Sequence, residues 1–201
     1  MLQADIDDLL RNNALDASLV LERIMSCYQD AVYRLAFSIL DDPDEAHDAM
    51  QETFLTVAYK LHQYQIGTHF RAWLFSIAVN TCRGHLRKRR ARDTLKQVWT
   101  TMQSLVSAPV SPEESAIRSE THAQLWKAVD ALHDRHRIPL VLRIVHECSV
   151  HEIAQILEIP EKTVYTRLYD AYEKVRHQLN ELEPLPNLLT VHHEDSPSNR
   201  F

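Results

Sequence analysis

Glycine is almost missing from this chain of 201 residues, which has only Gly67 and Gly84. The alternation of apolar and polar residues that is typical of strands is missing as well. Both shortages argue against sheet-rich folds, and the remaining pattern of apolar residues recurs at three and four positions, as in helices. The sequence therefore predicts an all-α protein with short connections, long enough for one domain or two small ones.

Long apolar runs are also missing, and cysteine is rare. No run approaches the length that spans a bilayer, and the acidic N-terminus, with Asp5, Asp7 and Asp8, does not resemble a signal peptide. The three cysteines are odd in number and lack paired spacing, which indicates reduced thiols. We expect a cytoplasmic protein without membrane insertion.

Motifs of catalysis are missing too. There is no Gly-rich phosphate loop, no nucleophile elbow and no HExxH pattern, so we predict no enzymatic activity and no cofactor. His146, Cys148 and His151 stand close together in sequence. Zinc sites need four ligands in defined pairs, and no second pair is evident. Ordinary histidines near a helix end explain this segment better, and no metal site is predicted.

The charge of the chain is unevenly distributed. The formal net charge is −6, yet residues 83–92 (RGHLRKRRAR) contain six Lys or Arg and no acidic residue. A concentrated basic patch on an acidic body is typical of a protein that contacts phosphate. The alternative is a solvated run of charge at a domain edge.

Residues 151–176 (HEIAQILEIPEKTVYTRLYDAYEKVR) have the pattern of a helix-turn-helix. Ser149 and Glu152 can form a capping box before the first helix, and Pro160 separates it from the second. The second helix would bury one face and expose the other, where a DNA major groove could be contacted. The exposed face of this second helix comprises Lys162, Thr163, Thr166, Arg167 and Asp170. The alternative is an ordinary helical hairpin.

A second polar helical face precedes and includes the basic patch. A helix beginning near Phe70 would bury a side formed by Phe70, Trp73, Leu74, Ile77 and Thr81. Its opposite side would carry Ser76, Asn80, Arg83, Arg87 and Arg90. Small residues admit a DNA strand, an amide can read a base, and guanidiniums hold phosphate. Trp73 and Phe75 could stack on bases, although the helical phase directs Trp73 towards the core.

Upstream, Asp42, Pro43 and Glu45 form a helix start, with Asp42 as cap and Glu45 completing a capping box. The helix that follows would run to about Leu61 and expose a polar cluster of Asp48, Gln51 and Glu52. Without further context, a solvent-facing side is the default interpretation of that cluster.

Composition divides the chain into five segments. We expect an N-terminal extension (1–15), a helical domain (16–92), a linker (93–111), a helix-turn-helix domain (112–179) and a disordered tail (180–201). Apolar residues between Leu95 and Val106 recur at helical spacing within the linker, and such a stripe usually contacts a partner. Within the second domain we expect a helix from Ser111 to about Leu132 and another over His136–Glu147, with Pro139 in its first turn.

Three ordered motifs, DPDEAHDAMQETFL, FRAWLFSIAVNTCRGHLRKRR and the helix-turn-helix, resemble a bacterial RNA polymerase sigma factor. The chain is most similar to the small extracytoplasmic-function (ECF) type, which keeps only the domains sigma2 and sigma4. The resemblance covers about Asp16 to Leu179. It implies promoter-specific transcription initiation with core RNA polymerase, in which sigma2 opens and reads the −10 element and sigma4 reads the −35 element. An anti-sigma factor often masks both domains in this family.

The resemblance also assigns roles to residues. Asp48, Gln51, Glu52 and Phe54 match the motif that binds the polymerase clamp. Asn80 matches the residue that shapes a pocket for a flipped −10 base, with Arg83 and Arg87 on the adjoining DNA face. The matches to the −35 readers are Lys162, Thr163, Thr166 and Arg167.

This chain departs from the family where Gly84 replaces a usual Asp, where Glu158 and Lys162 replace Gly, and where Asp170, Tyr172 and Glu173 replace more basic residues. The competing hypothesis is a stand-alone helix-turn-helix regulator whose N-terminal domain senses or dimerises. Such a regulator would bind duplex DNA alone, whereas a sigma factor needs core polymerase to select promoters.

Overall fold

The computed structural model describes residues 17–103 and 120–180, and places side chains over 18–93 and 125–179. Within these ranges every regular element is a helix and there is no strand. The predicted all-α fold with two small helical domains is confirmed. The predicted N-terminal extension, most of the tail and the helix start at Ser111 lie outside the described residues.

The N-terminal half contains three long helices: α1 (Ala17–Leu40), α2 (Pro43–Lys60) and α3 (Phe70–Gln103), with a short 3-10 turn at Leu61–Gln63. Helix α1 packs against both α2 and α3, and α2 packs against α3. Their facing sides bury large apolar residues, among them Ile24, Leu35, Ile39, Phe70 and Leu74. Burying such a side chain contributes about 1.5–3 kcal/mol, so this core accounts for the three-helix arrangement.

The start of α2 is as predicted at its cap but not at Glu45. The Asp42 carboxylate accepts a 2.8 Å hydrogen bond from the Glu45 backbone N–H, and Pro43 begins the helix. The Glu45 side chain, expected to complete a capping box, instead forms ion pairs with Arg89 and Arg92 of α3 at 3.5 and 3.0 Å. Two guanidiniums offer the carboxylate stronger, charge-assisted contacts than a single backbone N–H does.

Helix α3 continues without a break through residues 93–103, the first part of the predicted linker, where apolar residues recur at helical spacing. Gly84 does not interrupt it, and a Cβ built at that position would meet only the Arg87 guanidinium, at 4.0 Å. The helix therefore has room for a side chain at position 84.

The C-terminal half consists of α4 (Glu120–Asp130), α5 (Asp134–Ile144), α6 (Val150–Leu157) and α7 (Glu161–Asn180). Helix α7 packs on α4, α5 and α6. Helix α5 begins two residues earlier than expected, because the His133 side chain accepts from the Arg135 N–H and caps it. Pro139 consequently lies inside the helix, beyond the first turn, which corrects the predicted placement.

The helix-turn-helix of α6 and α7 is confirmed. Ser149 and Glu152 form the reciprocal capping box, with hydrogen bonds of 3.1 and 2.8 Å. Helix α6 ends at Glu158, which adopts a left-handed conformation with φ of 54°. Its backbone N–H contacts the carbonyls of Ala154 and Gln155 and closes the helix. Pro160 then precedes α7, as the sequence predicted.

The two halves touch each other. Helix α3 packs against α6, and α1 packs against α5. Arg137 of α5 is buried there, where it pairs with Asp130 at 2.7 Å and donates to the Ser38 carbonyl of α1 at 3.1 Å. One buried apolar cluster includes residues of both halves. This contact places the predicted DNA face of α3 beside the helix-turn-helix.

Candidate nucleic-acid interface

The polar face predicted on α3 is present but unevenly exposed. Asn80, Arg87 and Arg90 are exposed, whereas Ser76 and Arg83 are half-buried. The Asn80 side-chain oxygen accepts a 3.3 Å hydrogen bond from Arg83. The Ser76 hydroxyl donates to the Trp73 carbonyl at 2.7 Å, so it is directed back along its own helix. The amide of Asn80 is therefore the group on this face best placed to meet a base.

The environment of Arg83 explains its partial burial. Desolvation lowers the pKa of its guanidinium, and the nearby positive charges of Arg167 and Arg87 lower that pKa further. Arg167 belongs to α7, so a candidate −10 contact and a candidate −35 contact lie close together in this arrangement. The negative charges of Asp134 and Glu158 act in the opposite direction and raise the Arg83 pKa in part.

Arg90 forms the most direct link across this surface. Its guanidinium contacts the Asp134 carboxylate of α5 at 2.7 Å. Asp134 stands in the first turn of α5, where the helix dipole also favours its negative charge. The Arg90 guanidinium, which the sequence predicted to contact DNA, is therefore engaged with a carboxylate of the same chain.

The aromatic residues in the first two turns of α3 pack internally. Trp73 contacts Tyr64 and Phe70 with ring centroids 5.3 and 5.5 Å apart, as its helical phase predicted. Phe75 is only 1% exposed and lies edge-on against the His146 ring, at 5.5 Å. The expectation that Phe75 could stack on bases is wrong for this arrangement, because α6 and the segment before it cover that side of α3.

Arg71, which the sequence pattern did not single out, joins the halves around that ring. Its guanidinium lies over the Phe75 ring, 5.1 Å from the centroid, and donates to the His146 carbonyl. It also lies 3.9 Å from the Glu152 carboxylate at the start of α6. Burial lowers the pKa of His146 to about 4, and the charges of Arg71 and Arg34 act in the same direction. A neutral imidazole is thus part of the contact between the halves.

On α7, the predicted −35 residues share the outer surface of the helix. Lys162 and Thr166 are exposed, and Thr163 and Arg167 are half-buried. The Thr166 hydroxyl donates to the Lys162 carbonyl at 3.0 Å. Two residues that the pattern analysis did not assign to DNA, Tyr165 and Tyr169, are exposed on the same surface. Their helical spacing from Lys162 was the available signal.

On α2, the predicted polar cluster is exposed at Asp48, Gln51 and Glu52. Phe54 is only 4% exposed and packs into the core, so it supports this surface from beneath instead of forming it. The apolar residues that do reach solvent here are Leu55, 72% exposed, and Tyr59. Neither exposure was predicted from the sequence, because a single exposed apolar residue does not alter the helical periodicity.

Among the side chains described, no group of three or more His, Cys, Asp or Glu is arranged to hold a metal ion. His146 and Cys148 are buried, whereas His151 is exposed and pairs with Glu161 at 2.8 Å. None of the described helices is long and apolar enough to cross a membrane.

Comparison with known families agrees with this layout. The Sigma-70 region 2 family matches residues 24–92, which comprise most of α1 through the basic part of α3. The Sigma-70 region 4 family matches residues 122–175, which contain the helix-turn-helix. The two matched regions correspond to the two halves of the structure and occur in the order the resemblance implied.

Individual relatives match more than two thirds of the chain. The ECF RNA polymerase sigma factor SigW of Bacillus subtilis is 30% identical over 165 residues, which is 79% of this chain and 88% of SigW. The RNA polymerase sigma factor CarQ of Myxococcus xanthus is 35% identical over 138 residues, 69% of this chain and 76% of CarQ.

Solved structures share the fold. The sigma factor RpoE of Bartonella quintana, solved in complex with the anti-sigma factor NepR, superposes with a TM-score of 0.61 at 21% identity, covering 81% of this chain and 98% of RpoE. CnrH, solved with the cytosolic domain of CnrY, gives a TM-score of 0.60 at 21% identity, covering 89% of this chain and 95% of CnrH. The paired region matches and the identity with SigW and CarQ show that the chain belongs to the ECF group of RNA polymerase sigma factors and directs promoter-specific transcription initiation.

Proposed function

We propose that the two halves of this sigma factor read different parts of one promoter. Helix α3 engages the melted −10 element, and α7 enters the major groove of the −35 element. The observation that carries the proposal is the presence, in one chain, of a basic helical face matched by region 2 and a helix-turn-helix matched by region 4. The catalytic chemistry of transcription belongs to the polymerase, so the chain contributes specificity and works in the cytoplasm with that enzyme.

At the −10 element, Asn80 contacts an extruded base and Arg83, Arg87 and Arg90 hold phosphates, with Ser76 leaving room for the strand. Extruding a base costs about a few kcal/mol, which a pocket and charge-assisted contacts can offset. The exposure of Asn80 and its hydrogen bond to Arg83 support this division of roles. At the −35 element, Lys162, Thr163, Thr166 and Arg167 contact the duplex.

While the two halves are in contact, the chain cannot bind both promoter elements. Arg90 is paired with Asp134, and Arg83 lies beside Arg167 at the contact between halves. We infer that α3 and α6 separate when core polymerase binds, which uncovers both faces. The halves are joined by ion pairs, which contribute only about 0–1 kcal/mol each where they are exposed, and by a buried apolar contact that includes Phe75. Binding to a large partner can supply that energy.

The polymerase itself binds the exposed surface of α2 in this proposal. Asp48, Gln51 and Glu52 provide polar contacts, and the exposed Leu55 adds an apolar one. Asp48→Lys should weaken binding to core polymerase about tenfold or more, because a buried like-charge contact costs over 1 kcal/mol. Asp30→Lys makes the same charge change on an exposed position of α1 and serves as control.

An anti-sigma factor is the second protein partner that we propose. RpoE of Bartonella quintana is bound to the anti-sigma factor NepR in its structure, and its fold is similar to this chain. A partner of this class would hold the sigma factor away from polymerase until a signal releases it. Competition between the purified partner and core polymerase for this chain would test the assignment.

The test of the promoter assignments is run-off transcription with purified core polymerase on a promoter library, with and without this chain. We expect transcripts only when the chain is present, from promoters that share two elements. Asn80→Ala should impair promoter melting more than polymerase binding. Thr166→Ala should relax the upstream preference and leave the −10 preference intact, so each variant is the control for the other.

Two outcomes would contradict the proposal. Equal loss of melting and polymerase binding in Asn80→Ala would remove the base-pocket role. An unaltered upstream preference in Thr166→Ala would remove that residue from the −35 contacts. A chain that bound duplex promoter DNA without polymerase and did not stimulate transcription would instead behave as the stand-alone regulator.

A further inference from the structure

Two exposed tyrosines on α7 are not explained by packing. Tyr165 is 51% exposed and Tyr169 is 66% exposed. Within the described residues, neither forms a hydrogen bond or a ring contact with another side chain. By contrast, Tyr172 on the same helix is half-buried and packs against the core. Aromatic side chains that remain exposed in this way mark surfaces that contact another molecule.

Helical spacing places this tyrosine pair on the surface that would face DNA. At 100° per residue, Lys162, Tyr165 and Tyr169 follow one another at i, i+3 and i+7 on one flank of the outer surface. Thr166 is adjacent to that flank. Thr163 and Arg167 lie on the other flank, which is turned towards α3, since the Arg167 charge reaches Arg83. The tyrosine pair is therefore next to the −35 residues but separate from the side that contacts α3.

This flank of α7 is largely apolar. Apart from the two phenolic hydroxyls, it has few groups that could form hydrogen bonds to a base edge. The Thr166 hydroxyl already donates to the Lys162 carbonyl, and Glu173 is paired with Arg176 at 2.6 Å. Glu173, next to Tyr169 on the helix surface, disfavours close approach of phosphates at the C-terminal end of this flank. What remains for base contact is two flat rings, each with a phenolic hydroxyl at its tip, with the Lys162 ammonium at the N-terminal end of the pair. In the major groove, the apolar feature of a base edge is the thymine 5-methyl group.

We propose that Tyr165 and Tyr169 read thymine methyl groups in the upstream promoter element. The inference rests on the proposed function of α7 as the −35 reader and names the base feature that this chain reads there. Lys162 sits at the start of the helix, where it contacts a phosphate and sets the depth of the helix in the groove. The rings then meet the methyl groups of two neighbouring thymines through apolar contact, which removes both surfaces from water.

Duplex DNA fits this surface better than a protein partner does. The pair continues the surface formed by Lys162 and Thr166, and it lies in the N-terminal part of the second helix, the part that contacts base edges in helix-turn-helix proteins. The Lys162 ammonium, at the N-terminal end of the tyrosine pair, matches the negative phosphate backbone that borders a groove. A protein partner on this surface is an outcome that the experiment detects.

The experiment uses holoenzyme assembled from this chain and core polymerase. A duplex library first selects the upstream element that the wild-type holoenzyme prefers. That element is then synthesised with deoxyuridine replacing thymine one position at a time, which removes only the methyl group and keeps every hydrogen-bonding group. Equilibrium binding is measured on each pair of duplexes.

With the wild-type chain, deoxyuridine at one or two positions should weaken binding about fourfold, the factor that burial of one methyl group provides. Tyr165→Ala and Tyr169→Ala should each bind the thymine duplex more weakly and abolish the difference at one of those positions. Tyr165→Phe and Tyr169→Phe should preserve the difference, because the ring remains. Leu19→Ala removes a 54% exposed apolar side chain from α1, outside both proposed surfaces, and should leave the thymine-to-deoxyuridine ratio unchanged.

Several results would overturn the inference. These are equal binding of thymine and deoxyuridine duplexes by the wild type, a selected element that contains no thymine, or full methyl dependence in both alanine variants. Weaker binding of the alanine variants to core polymerase without DNA, with an unchanged ratio, would assign the pair to a protein contact. A selection that enriched no upstream element would contradict the proposed function itself, so the two failures are distinguishable.

Discussion

Arg90 of α3 and Asp134 of α5 form a 2.7 Å ion pair that joins the basic helix to the helix-turn-helix half. Because separation of the halves breaks this pair, Asp134→Ala should make opening easier and raise affinity for core polymerase about two- to fivefold, the range of an exposed ion pair. A fluorescence titration with core polymerase measures this affinity.

Asp170→Ala is the control. It removes an acidic residue of α7 that is in no ion pair within the described residues, and it should leave the affinity for core polymerase unchanged. Unchanged affinity in Asp134→Ala would show that the pair does not restrain opening.

Charge reversal on the DNA face of α3 should change the salt dependence of promoter binding. Arg87→Glu should weaken binding by holoenzyme and reduce the slope of log affinity against log salt by about one, because one phosphate contact is lost. Lys88→Glu makes an equivalent charge change at the next exposed residue, outside the predicted face. Equal effects of the two variants would indicate that only the overall charge of the patch matters.

Gly84 should be replaceable with a gain in stability. A Cβ at this position meets only the Arg87 guanidinium at 4.0 Å, and helix interiors favour Ala over Gly by about 0.5–1 kcal/mol. Gly84→Ala should therefore raise the free energy of unfolding by about that amount in chemical denaturation. Gly67→Ala is the matched control and should lower it, because Gly67 has a φ of 93°. A loss of stability in Gly84→Ala would mean that α3 needs its glycine for another reason.

The contact between halves should weaken in mild acid. The buried His146 has its pKa lowered to about 4, whereas the unfolded chain binds the proton at the ordinary value of about 6.5. Stability from this residue is complete above about pH 6.5 and is lost as the pH falls towards 4, with a deficit of about 2 kcal/mol at pH 5. The His146 Nε2 atom has no hydrogen-bond partner in the described structure, so a proton there would be uncompensated.

The measurement is the free energy of unfolding at pH 7.5 and pH 5. His146→Leu should reduce the difference between the two pH values relative to the wild type. His62→Leu removes an exposed histidine from the 3-10 turn and should leave the difference unchanged. An identical pH dependence in wild type and His146→Leu would place the titration elsewhere.

Local chemistry determined the parts of the fold that could be predicted from sequence. Residues only three positions apart form both the Ser149 and Glu152 capping box and the Asp42 cap. Such local patterns can be recognised in the sequence. Glu158 is a different case. It adopts the left-handed φ that glycine prefers, and the only signal for it was the resemblance, in which Gly is usual at this position.

Contacts between distant residues could not be predicted. Arg71 and His146 are 75 positions apart, and Arg137 and Ser38 are 99 apart. Helical phase indicated one buried side of α3, but the helix is covered on two sides because α6 packs opposite the first core. That second contact buries Phe75 and partly covers Arg83, both of which the phase alone had placed on or near an open face.

The unbroken course of α3 to Gln103 limits how far apart the two promoter-reading helices can move. If that helix stays intact, only residues 104–119 are left to bridge its end and the start of α4. A polypeptide extends by at most about 3.3–3.6 Å per residue, so the bridge has a maximum reach of roughly 55 Å. Deleting residues from it should narrow the range of −35 to −10 spacings that the holoenzyme accepts.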